Sequence, residues 1–391
     1  MKTGKLLATL TPFLLIQASL SASISGAAVK PAKTLDVALM FNFNDQYNET
    51  VAAMGRGMEV ARLLFQKLNP GVKVNLIRYP HDSDLSAALT VSNKVIADKR
   101  VAVIGGELSE ESILLRDKFG PEKIVFITPT SSNPAVTEGH PFSFRACFSD
   151  RMVSNRMADF TYDRLKPKAI GVLHNVSSPY TDFLSKQFMK RFAERNAETK
   201  IPVYEEKVLK DAVDFDAQIT RFMAEHVTHV SAFVLEGDLF KFVVQAAQKG
   251  FYPTYIGSDG WGRNENLYKL LVKESAAGEH FLAYRNYYWL GDMTRGIGKQ
   301  FADLYKMTFK NIPDAWGAMA FDTAWLLLLA MNKAENPHSG DSIRQALQAT
   351  RDVPLLTSSS FSFGKNDNSP DKNLFIYRID KTGVTFEATL K

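Results

Sequence analysis

The sequence places small hydroxyl-bearing and acidic residues directly after apolar runs that have the length of β-strands. Ser109 is the first of them, because it follows the run at residues 101–104 and two consecutive glycines, and it begins a predicted helix. A helix N-terminus presents unpaired N–H groups and a partial positive charge, which favour an anion such as a carboxylate. The alternative is that Ser109 serves only as the N-cap of the helix.

Thr130 and Ser132 lie in a second loop of this kind, after the predicted strand at residues 124–127 and between Pro129 and Pro134. Ligands of open parallel sheets bind beyond the carboxyl ends of the strands, so we expect this loop close to the first one. Its hydroxyl groups are suited to bind the same anion. A Ser-Asn-Pro sequence is also ordinary turn chemistry, and the two interpretations are compatible.

Asp259 is the acidic residue that follows a predicted strand in the second half of the chain, at residues 254–256. A buried carboxylate without a partner is costly, and a positively charged group of a ligand would supply the partner. The alternative is that Asp259 only stabilises a local turn. Trp261 follows two residues later, and we expect it either to cover a ligand or to pack in the core.

Sequence patterns typical of enzymes are weak in this chain. The 7 His residues show no His-x-x-x-His spacing for a metal, and neither a Gly-x-Ser-x-Gly elbow nor a phosphate-binding Gly-x-x-x-x-Gly-Lys loop is present. The single Cys, Cys147, stands in a predicted strand with no His nearby, which indicates a buried thiol rather than a nucleophile. We therefore predict no metal site, no cofactor and no catalysis.

The composition is that of a globular protein, with 45% hydrophobic and 23% charged residues among 391. The formal net charge is +5, but the positive residues are interleaved with acids, which argues against nucleic-acid binding. One Cys allows no intrachain disulfide, so stability must come from packing.

The N-terminal residues have the order of a secretory signal peptide. Lys2 and Lys5 precede an apolar stretch at residues 6–20, which is too short to span a membrane and is interrupted by Pro12. Small residues follow and offer cleavage sites near residues 25–28. We predict a signal peptide at residues 1–28 and an exported, periplasmic protein that is not a lipoprotein, because no Cys lies near the cleavage region.

From residue 34 onward, short β-type runs alternate with longer helical ones, which predicts parallel sheets covered by helices on both faces. The pattern restarts near residue 169, so two similar α/β units are expected. The predicted strands are 35–41, 72–79, 101–104, 124–127, 142–148, 169–174, 203–208, 230–235, 254–256, 360–363, 374–379 and 384–386. The predicted helices are 52–68, 85–98, one from residue 109, 180–195, 215–226, 239–249, 293–309 and 315–334.

Three segments make the chain resemble a known family: VIGGELS at 103–109, FITPTSSNPAVTE at 126–138 and FRACFSDRM at 144–152. Together with GSDGW at 257–261, they are similar to the branched-chain amino-acid binding proteins, the type I periplasmic solute-binding proteins of ABC transporters. The resemblance implies two doubly wound α/β lobes joined by three hinge crossovers, near residues 145–149, 282–287 and 351–358. Lobe 1 would comprise 34–146 with 286–352, and lobe 2 would comprise 147–285 with 353–391.

The resemblance also assigns the site between the lobes. It implies that Ser109, Thr130 and Ser132 bind the α-carboxylate of an amino acid and that Asp259 pairs with its ammonium group. Tyr180 matches a cleft aromatic residue of the family. Glu236, after a strand of the second unit, is expected to face the same cleft.

One departure from the family concerns Glu107, Glu110 and Glu111, which surround Ser109 where the family has small residues. Acids in the first turn of a helix favour its dipole, and that alone explains them. The alternative is an acidic cleft that prefers a cationic or neutral ligand.

The function that the resemblance implies is capture of a small polar ligand, an amino acid or a related amide or amine, by closure of the lobes. A monomer would deliver it to an ABC transporter permease in the inner membrane. Two alternatives remain open at this stage: a ligand-sensing module for a receptor, and an exported α/β enzyme that uses Asp259 or a cleft Glu as general acid or base.

Overall fold

The computed structural model describes residues 33–44, 49–82, 84–261, 265–277, 283–287, 293–364 and 367–391. The predicted signal peptide, residues 1–28, lies outside this part of the chain. The described residues form two mainly parallel β-sheets, and each sheet is the centre of one lobe. The α/β class with two lobes that the sequence predicts is therefore confirmed.

Lobe 1 contains a five-stranded sheet in which every pair of neighbours is parallel. The strands are β1 (Lys33–Met40), β2 (Val72–Arg78), β3 (Ala102–Gly105), β4 (Val125–Thr128) and β5 (Ser143–Arg145). They lie in the order β2-β1-β3-β4-β5. The helices between them are α1 (Glu49–Leu68), α2 (Leu85–Ala97) and α3 (Ser109–Phe119).

Lobe 2 is built in the same way from the next part of the chain. Its first helices are α4 (Asp150–Phe160), α5 (Pro179–Arg195), α6 (Asp216–Ala224), α7 (Glu236–Gln248) and α8 (Glu265–Ala277). The parallel strands are β6 (Ile170–Asn175), β7 (Val203–Val208), β8 (His229–Phe233), β9 (Thr254–Gly257) and β10 (Ala283–Tyr287).

The last part of the chain returns to both lobes. Helices α9 (Gly296–Phe309), α10 (Ala315–Lys333) and α11 (Gly340–Gln348) belong to lobe 1, where α9 and α10 pack against α1. Strands β11 (Leu374–Asp380) and β12 (Gly383–Leu390) then add an antiparallel edge to lobe 2, in the order β12-β11-β10-β9-β8-β6-β7. No helix in the described ranges is both long enough and apolar enough to cross a membrane.

Both faces of the first sheet are buried, as the alternation along β1 shows. Leu35 and Val37 join one core cluster with residues of α1 and α10, whereas Ala38 and Met40 join another with residues of α2 and α3. Successive side chains of a strand point to opposite faces, so β1 must lie between two helical layers. This explains why its sequence is almost continuously apolar.

Some predicted boundaries are wrong. Residues 283–287 form β10, which pairs with β9 and β11, so the second crossover does not lie at 282–287 and the boundary at 285/286 falls inside a strand. Phe361 and Phe363 form only isolated bridges instead of a strand. Helices α4, α8 and α11 were not predicted. Residues 283–287 form a strand because they pair with β9 and β11, and the local sequence pattern does not show this pairing.

A buried polar cluster ties together segments that connect the lobes. The chain passes to lobe 2 after β5 and passes there again after α11. Lys372 Nζ donates to the carbonyl oxygen of Ala146 (3.1 Å) and to Thr357 Oγ1. The Asp322 carboxylate on α10 accepts the Thr357 hydroxyl (2.6 Å) and backbone N–H (2.9 Å). These hydrogen bonds therefore hold segments from distant parts of the chain together inside the core.

Candidate functional site

A cleft of about 300 Å³ lies between the carboxyl ends of the strands of the two lobes. All six residues that the sequence predicts for the site line it, although they come from five separate segments of the chain. Lobe 1 contributes Ser109, Thr130 and Ser132, and lobe 2 contributes Tyr180, Glu236 and Asp259. The tertiary structure thus brings the predicted residues to one place.

Ser109 is the first residue of α3 and is buried. The alternative that it caps the helix is wrong, because Leu108 occupies the N-cap position and makes no side-chain capping bond. The Ser109 Oγ instead accepts a hydrogen bond from the backbone N–H of Asn133 (3.3 Å). Its own O–H group is a suitable donor to an acceptor in the cleft, beside the unpaired N–H groups of the first helical turn.

The loop that carries Thr130 and Ser132 is held by hydrogen bonds to its neighbours. Thr130 Oγ1 donates to the carbonyl oxygen of Glu107 (2.8 Å), which joins this loop to the one before α3. The fully buried Arg145 donates to the carbonyl oxygens of Ser131 (3.2 Å) and Pro134 (3.3 Å). Arg145 therefore positions the loop without contacting the cleft.

Tyr180 and Asp259 form the opposite wall. The Tyr180 hydroxyl lies 2.9 Å from Ser258 Oγ and 3.2 Å from Asp259 Oδ1, and it accepts the backbone N–H of Gly260 (3.2 Å). Burial, followed by the charge of Asp259, raises the pKa of Tyr180 well above its usual range. The neutral phenol therefore orients the Asp259 carboxylate, which is itself 6% exposed.

A second carboxylate, Asp150, lies behind Ser132 of the cleft wall, where its backbone N–H donates to the carbonyl oxygen of Ser132 (2.8 Å), and sequence reasoning missed it. It is 1% exposed and accepts a hydrogen bond from the Ser132 side chain, while its Oδ2 has no hydrogen-bond partner among the described residues. Burial raises its pKa well above the usual value, and the charge of Asp259 raises it further. No helix was predicted at this position, so the local pattern gave no reason to single out Asp150.

Other lining residues were also missed. Trp261 is fully buried and donates from Nε1 to the carbonyl oxygen of Ala232 (3.1 Å), so it packs in the core. Trp316, from the start of α10, lines the cleft instead. Three other lining residues, Asn175, Ser177 and Ser178, belong to a run of polar residues at the end of β6, and this run could have indicated them from the sequence. The further lining residues include Leu108, Lys210 and Leu235.

The three acids around Ser109 do not share one environment. Glu107 and Glu110 line the cleft, whereas Glu111 lies with one carboxylate oxygen 3.1 Å from His81 Nε2. Burial alone would lower the pKa of His81, but its hydrogen bond to Glu111 and the charge of that group outweigh burial and raise it. Glu111 is therefore part of a buried pair behind the cleft wall.

Two groups with the chemistry of catalytic residues occur among the described residues, and both are buried. His174 lies 2.8 Å from Ser185 Oγ and 2.8 Å from Glu205 Oε1, a serine–histidine–acid chain, but Ser185 and His174 are completely buried and no substrate can reach them. Burial raises the pKa of Cys147 to about 12, so it remains a thiol. No group of metal-binding side chains occurs within the described ranges.

The profile of the periplasmic binding protein family matches residues 49–384. The chain belongs to the periplasmic binding protein family. A leucine-, isoleucine-, valine-, threonine- and alanine-binding protein of Pseudomonas aeruginosa is 27% identical over 196 residues, which are 50% of this chain and 52% of the relative. The chain thus matches about half the length of that relative.

Solved structures share the fold over nearly the whole chain. A leucine binding protein from Thermotoga maritima superimposes with a TM-score of 0.78 at 23% identity, covering 91% of this chain and 99% of that one. A branched-chain amino acid transporter substrate binding protein from Streptococcus pneumoniae, solved with isoleucine, has a TM-score of 0.75 at 19% identity, covering 91% and 98%. The predicted family resemblance and the type I fold are confirmed.

Proposed function

We propose that this periplasmic binding protein captures an α-amino acid, or a related amine, by closing its two lobes around it, and delivers it to an ABC transporter permease in the inner membrane. The proposal includes export by a signal peptide at residues 1–28 and action as a monomer. The relatives named above bind leucine and other neutral amino acids, as their names state.

The observation that carries the proposal is the placement of complementary groups on opposite walls of one cleft. Ser109, with the N-terminus of α3, suits a carboxylate. Asp259, oriented by Tyr180, suits an ammonium group. The two groups belong to different lobes, so a zwitterionic head group binds fully only when the lobes are closed. A ligand shifts the hinge equilibrium by contacts made in the closed state alone.

A thermal-shift screen of the proteinogenic amino acids tests the proposal. An amino acid at 100 times its Kd is expected to add about 2.7 kcal/mol to the free energy of unfolding. If none of them raises Tm, the proposal that the ligand is a proteinogenic amino acid is wrong.

The Asp259→Asn variant tests the assignment of the head group. Two pairs serve as probes: L-leucine with 4-methylpentanoate, and L-lysine with 6-aminohexanoate, where the second member lacks the α-amine. Loss of the carboxylate charge should weaken binding of the amino acid by about 2–5 kcal/mol, because the ammonium group of the ligand is then buried without a partner. Calorimetry should show little change for the deaminated analogue.

The matched control is Asp303→Asn, which removes an exposed carboxylate that pairs with Lys299 at 2.6 Å. Surface pairs contribute little, so binding should be unchanged. Equal affinity of wild type and Asp259→Asn for the amino acid would remove Asp259 from the site.

A further inference from the structure

Arg145 is a buried cation that no acid neutralises by direct contact. It is the last residue of β5, and its side chain is fully buried against the loop of Thr130 and Ser132. It forms no ion pair with a carboxylate in the part of the chain that the structure describes, and its Nε–H is buried there without an acceptor. An arginine keeps its proton in proteins. The loop therefore has a full positive charge against it.

Oxygen atoms of the loop take the place that a carboxylate would have in an ion pair. The guanidinium donates to the carbonyl oxygens of Ser131 (3.2 Å) and Pro134 (3.3 Å) and to the hydroxyl of Thr137 (2.7 Å). A buried charge without such partners would be costly. Each of these carbonyl groups is therefore oriented with its oxygen towards Arg145.

The peptide group between Ser131 and Ser132 connects Arg145 with the cleft. No peptide bond of the described residues is cis, so the carbonyl oxygen of Ser131 and the N–H of Ser132 point in opposite directions. The oxygen is bonded to Arg145, and the N–H therefore points away from it, on the side where both serines line the cleft. No described residue accepts this N–H. Hydrogen bonds in a chain polarise one another, so a cation on the carbonyl oxygen makes the N–H a stronger donor.

The neighbouring groups on this wall are also suited to an anion. The hydroxyl of Ser109 and the first turn of α3 lie beside the loop, because Ser109 Oγ accepts the backbone N–H of Asn133 (3.3 Å). Inside a closed cleft the charge of a buried guanidinium is screened little. It therefore stabilises a carboxylate on these donors much more than a neutral amide in the same position.

We infer that Arg145 is a positioning residue that acts through the peptide group of Ser131 and Ser132 and makes the lobe 1 wall selective for a carboxylate. The inference rests on the proposed function, and it narrows the ligand to compounds with a free α-carboxylate. Amino-acid amides are thereby excluded. Arg145 does not line the cleft itself, so its contribution is electrostatic and not one of contact.

Lys210 is the alternative source of positive charge. It is the one basic residue among the described residues that line the cleft, and it lies exposed in lobe 2. Salt screens an exposed charge much more than a buried one. The preference for a carboxylate should therefore fall as salt is added if it depends on Lys210, and should hardly change if it depends on Arg145.

Calorimetry at pH 6 with L-leucine and L-leucinamide tests the inference, because the second compound has an amide in place of the carboxylate. If the thermal-shift screen finds a tighter-binding amino acid, that amino acid and its α-amide replace them. Arg145→Gln removes the charge and keeps N–H donors for the carbonyl oxygens. It should weaken L-leucine about 5- to 30-fold, the effect of a unit charge one peptide group away at an effective dielectric constant of about 20. L-Leucinamide should lose at most about 3-fold.

Two further variants separate the charge from mechanical support of the loop. Arg145→Lys keeps a cation and should retain most of the preference for L-leucine over L-leucinamide. Thr137→Val removes one acceptor of the guanidinium but not its charge, and should weaken both compounds equally and only slightly. Arg164→Met, at an exposed position of lobe 2, is the control and should leave both affinities unchanged.

The outcomes separate this inference from the proposed function. Equal loss of both compounds in Arg145→Gln, or a loss in Arg145→Lys as large as in Arg145→Gln, would show that Arg145 only supports the loop. A preference that Lys210→Met abolishes and Arg145→Gln does not would assign it to Lys210. In each case the proposed function stands, since the wild type still binds the amino acid. If the wild type binds no amino acid, both fail together.

Nuclear magnetic resonance of the wild type gives a measurement that does not depend on how the variants fold. The buried Nε–H of Arg145 is protected from exchange with water, so its signal can be followed, and Arg145→Lys, which lacks it, assigns the signal. L-Leucine should shift this signal and L-leucinamide should shift it less, because a bound anion polarises the same peptide group. A signal that stays in place when L-leucine binds would overturn the inference.

Discussion

At the scale of single residues, the two aspartates of the cleft show how environment gives one side chain two roles. Asp259 is bonded to the Tyr180 hydroxyl, which can donate to it and holds it at the cleft surface. Asp150 lies behind Ser132 and is 1% exposed, and burial and the charge of Asp259 raise its pKa. Asp259 is thus suited to pair with a ligand cation, whereas Asp150 takes up a proton more readily.

Asp150→Asn should make the stability of the ligand-free protein less dependent on pH. A carboxyl whose pKa is raised in the folded state binds more protons there than in the unfolded chain, so the wild type loses stability as pH rises from about 4 through the folded pKa. An amide can still accept the Ser132 hydrogen bond but does not ionise. The Tm of the variant relative to wild type should therefore increase between pH 5 and pH 8.

Asp303→Asn is again the control, since an exposed carboxylate should give a difference in Tm that does not depend on pH. A constant difference for Asp150→Asn over the same range would show that Asp150 does not change protonation in the folded protein.

At the scale of elements, the contact of α1 with α10 brings the returning part of the chain onto lobe 1. Gly57 on α1 lies so close to α10 that a Cβ there would be 2.0 Å from the carbonyl oxygen of Gly317. Gly55 is two residues earlier and so lies on nearly the opposite face of the same helix. A Cβ at Gly55 would make only an ordinary contact, with Phe43 at 3.7 Å. The close packing of α1 against α10 therefore requires a glycine at position 57 but not at position 55.

Gly57→Ala should destabilise the protein by about 1–3 kcal/mol, because α10 must move away and carries Trp316 with it. Gly55→Ala is the matched control and should be neutral or add up to about 1 kcal/mol, since alanine favours a helix over glycine. Urea unfolding of both variants measures the difference. If both changes stabilise equally, the helices are not packed this closely.

At the scale of the whole molecule, the lobes are joined by contacts across the cleft as well as by the hinge. Asn133 Nδ2 in lobe 1 donates to the carbonyl oxygen of Pro179 at the start of α5 in lobe 2 (2.7 Å). Its Oδ1 accepts the backbone N–H of Ala135 (2.9 Å) and so belongs to the local turn. One side chain thus links the loop of Thr130 and Ser132 in lobe 1 to the start of α5 in lobe 2.

Asn133→Ser should weaken ligand binding about 2- to 10-fold by removing one hydrogen bond of the closed state. Serine can still accept from the Ala135 N–H, so the Tm of the ligand-free protein should hardly change. Calorimetry with the best-binding amino acid gives the affinity, and small-angle scattering reports closure. Asn93→Ser, at an exposed position of α2, is the control. Unchanged affinity would show that this bond does not contribute to closure.

The sequence by itself determined most of the elements and the two-lobed class. Strand β6 is buried along its whole length, and the buried apolar residues Leu184, Phe188 and Phe192 of α5 recur at helical spacing, so a local pattern was sufficient to predict both elements. It also pointed to Ser109, Thr130, Ser132 and Asp259, because residues just beyond a parallel strand lie at the same edge of the sheet wherever the strand is placed. Their binding roles stay predictions.

Only the tertiary structure decided which neighbouring side chains reach the cleft. Glu110 and Glu111 are adjacent in sequence, yet successive helical residues point about 100° apart, so one lines the cleft and the other meets His81. Trp316 rather than Trp261 lines it because α10 returns to lobe 1 from far along the chain. Asp150 is a neighbour of the site through its hydrogen bond to Ser132 of lobe 1 and the charge of Asp259 of lobe 2, and only the folded chain brings these residues together. These choices depend on contacts between distant segments, and no local pattern contains them.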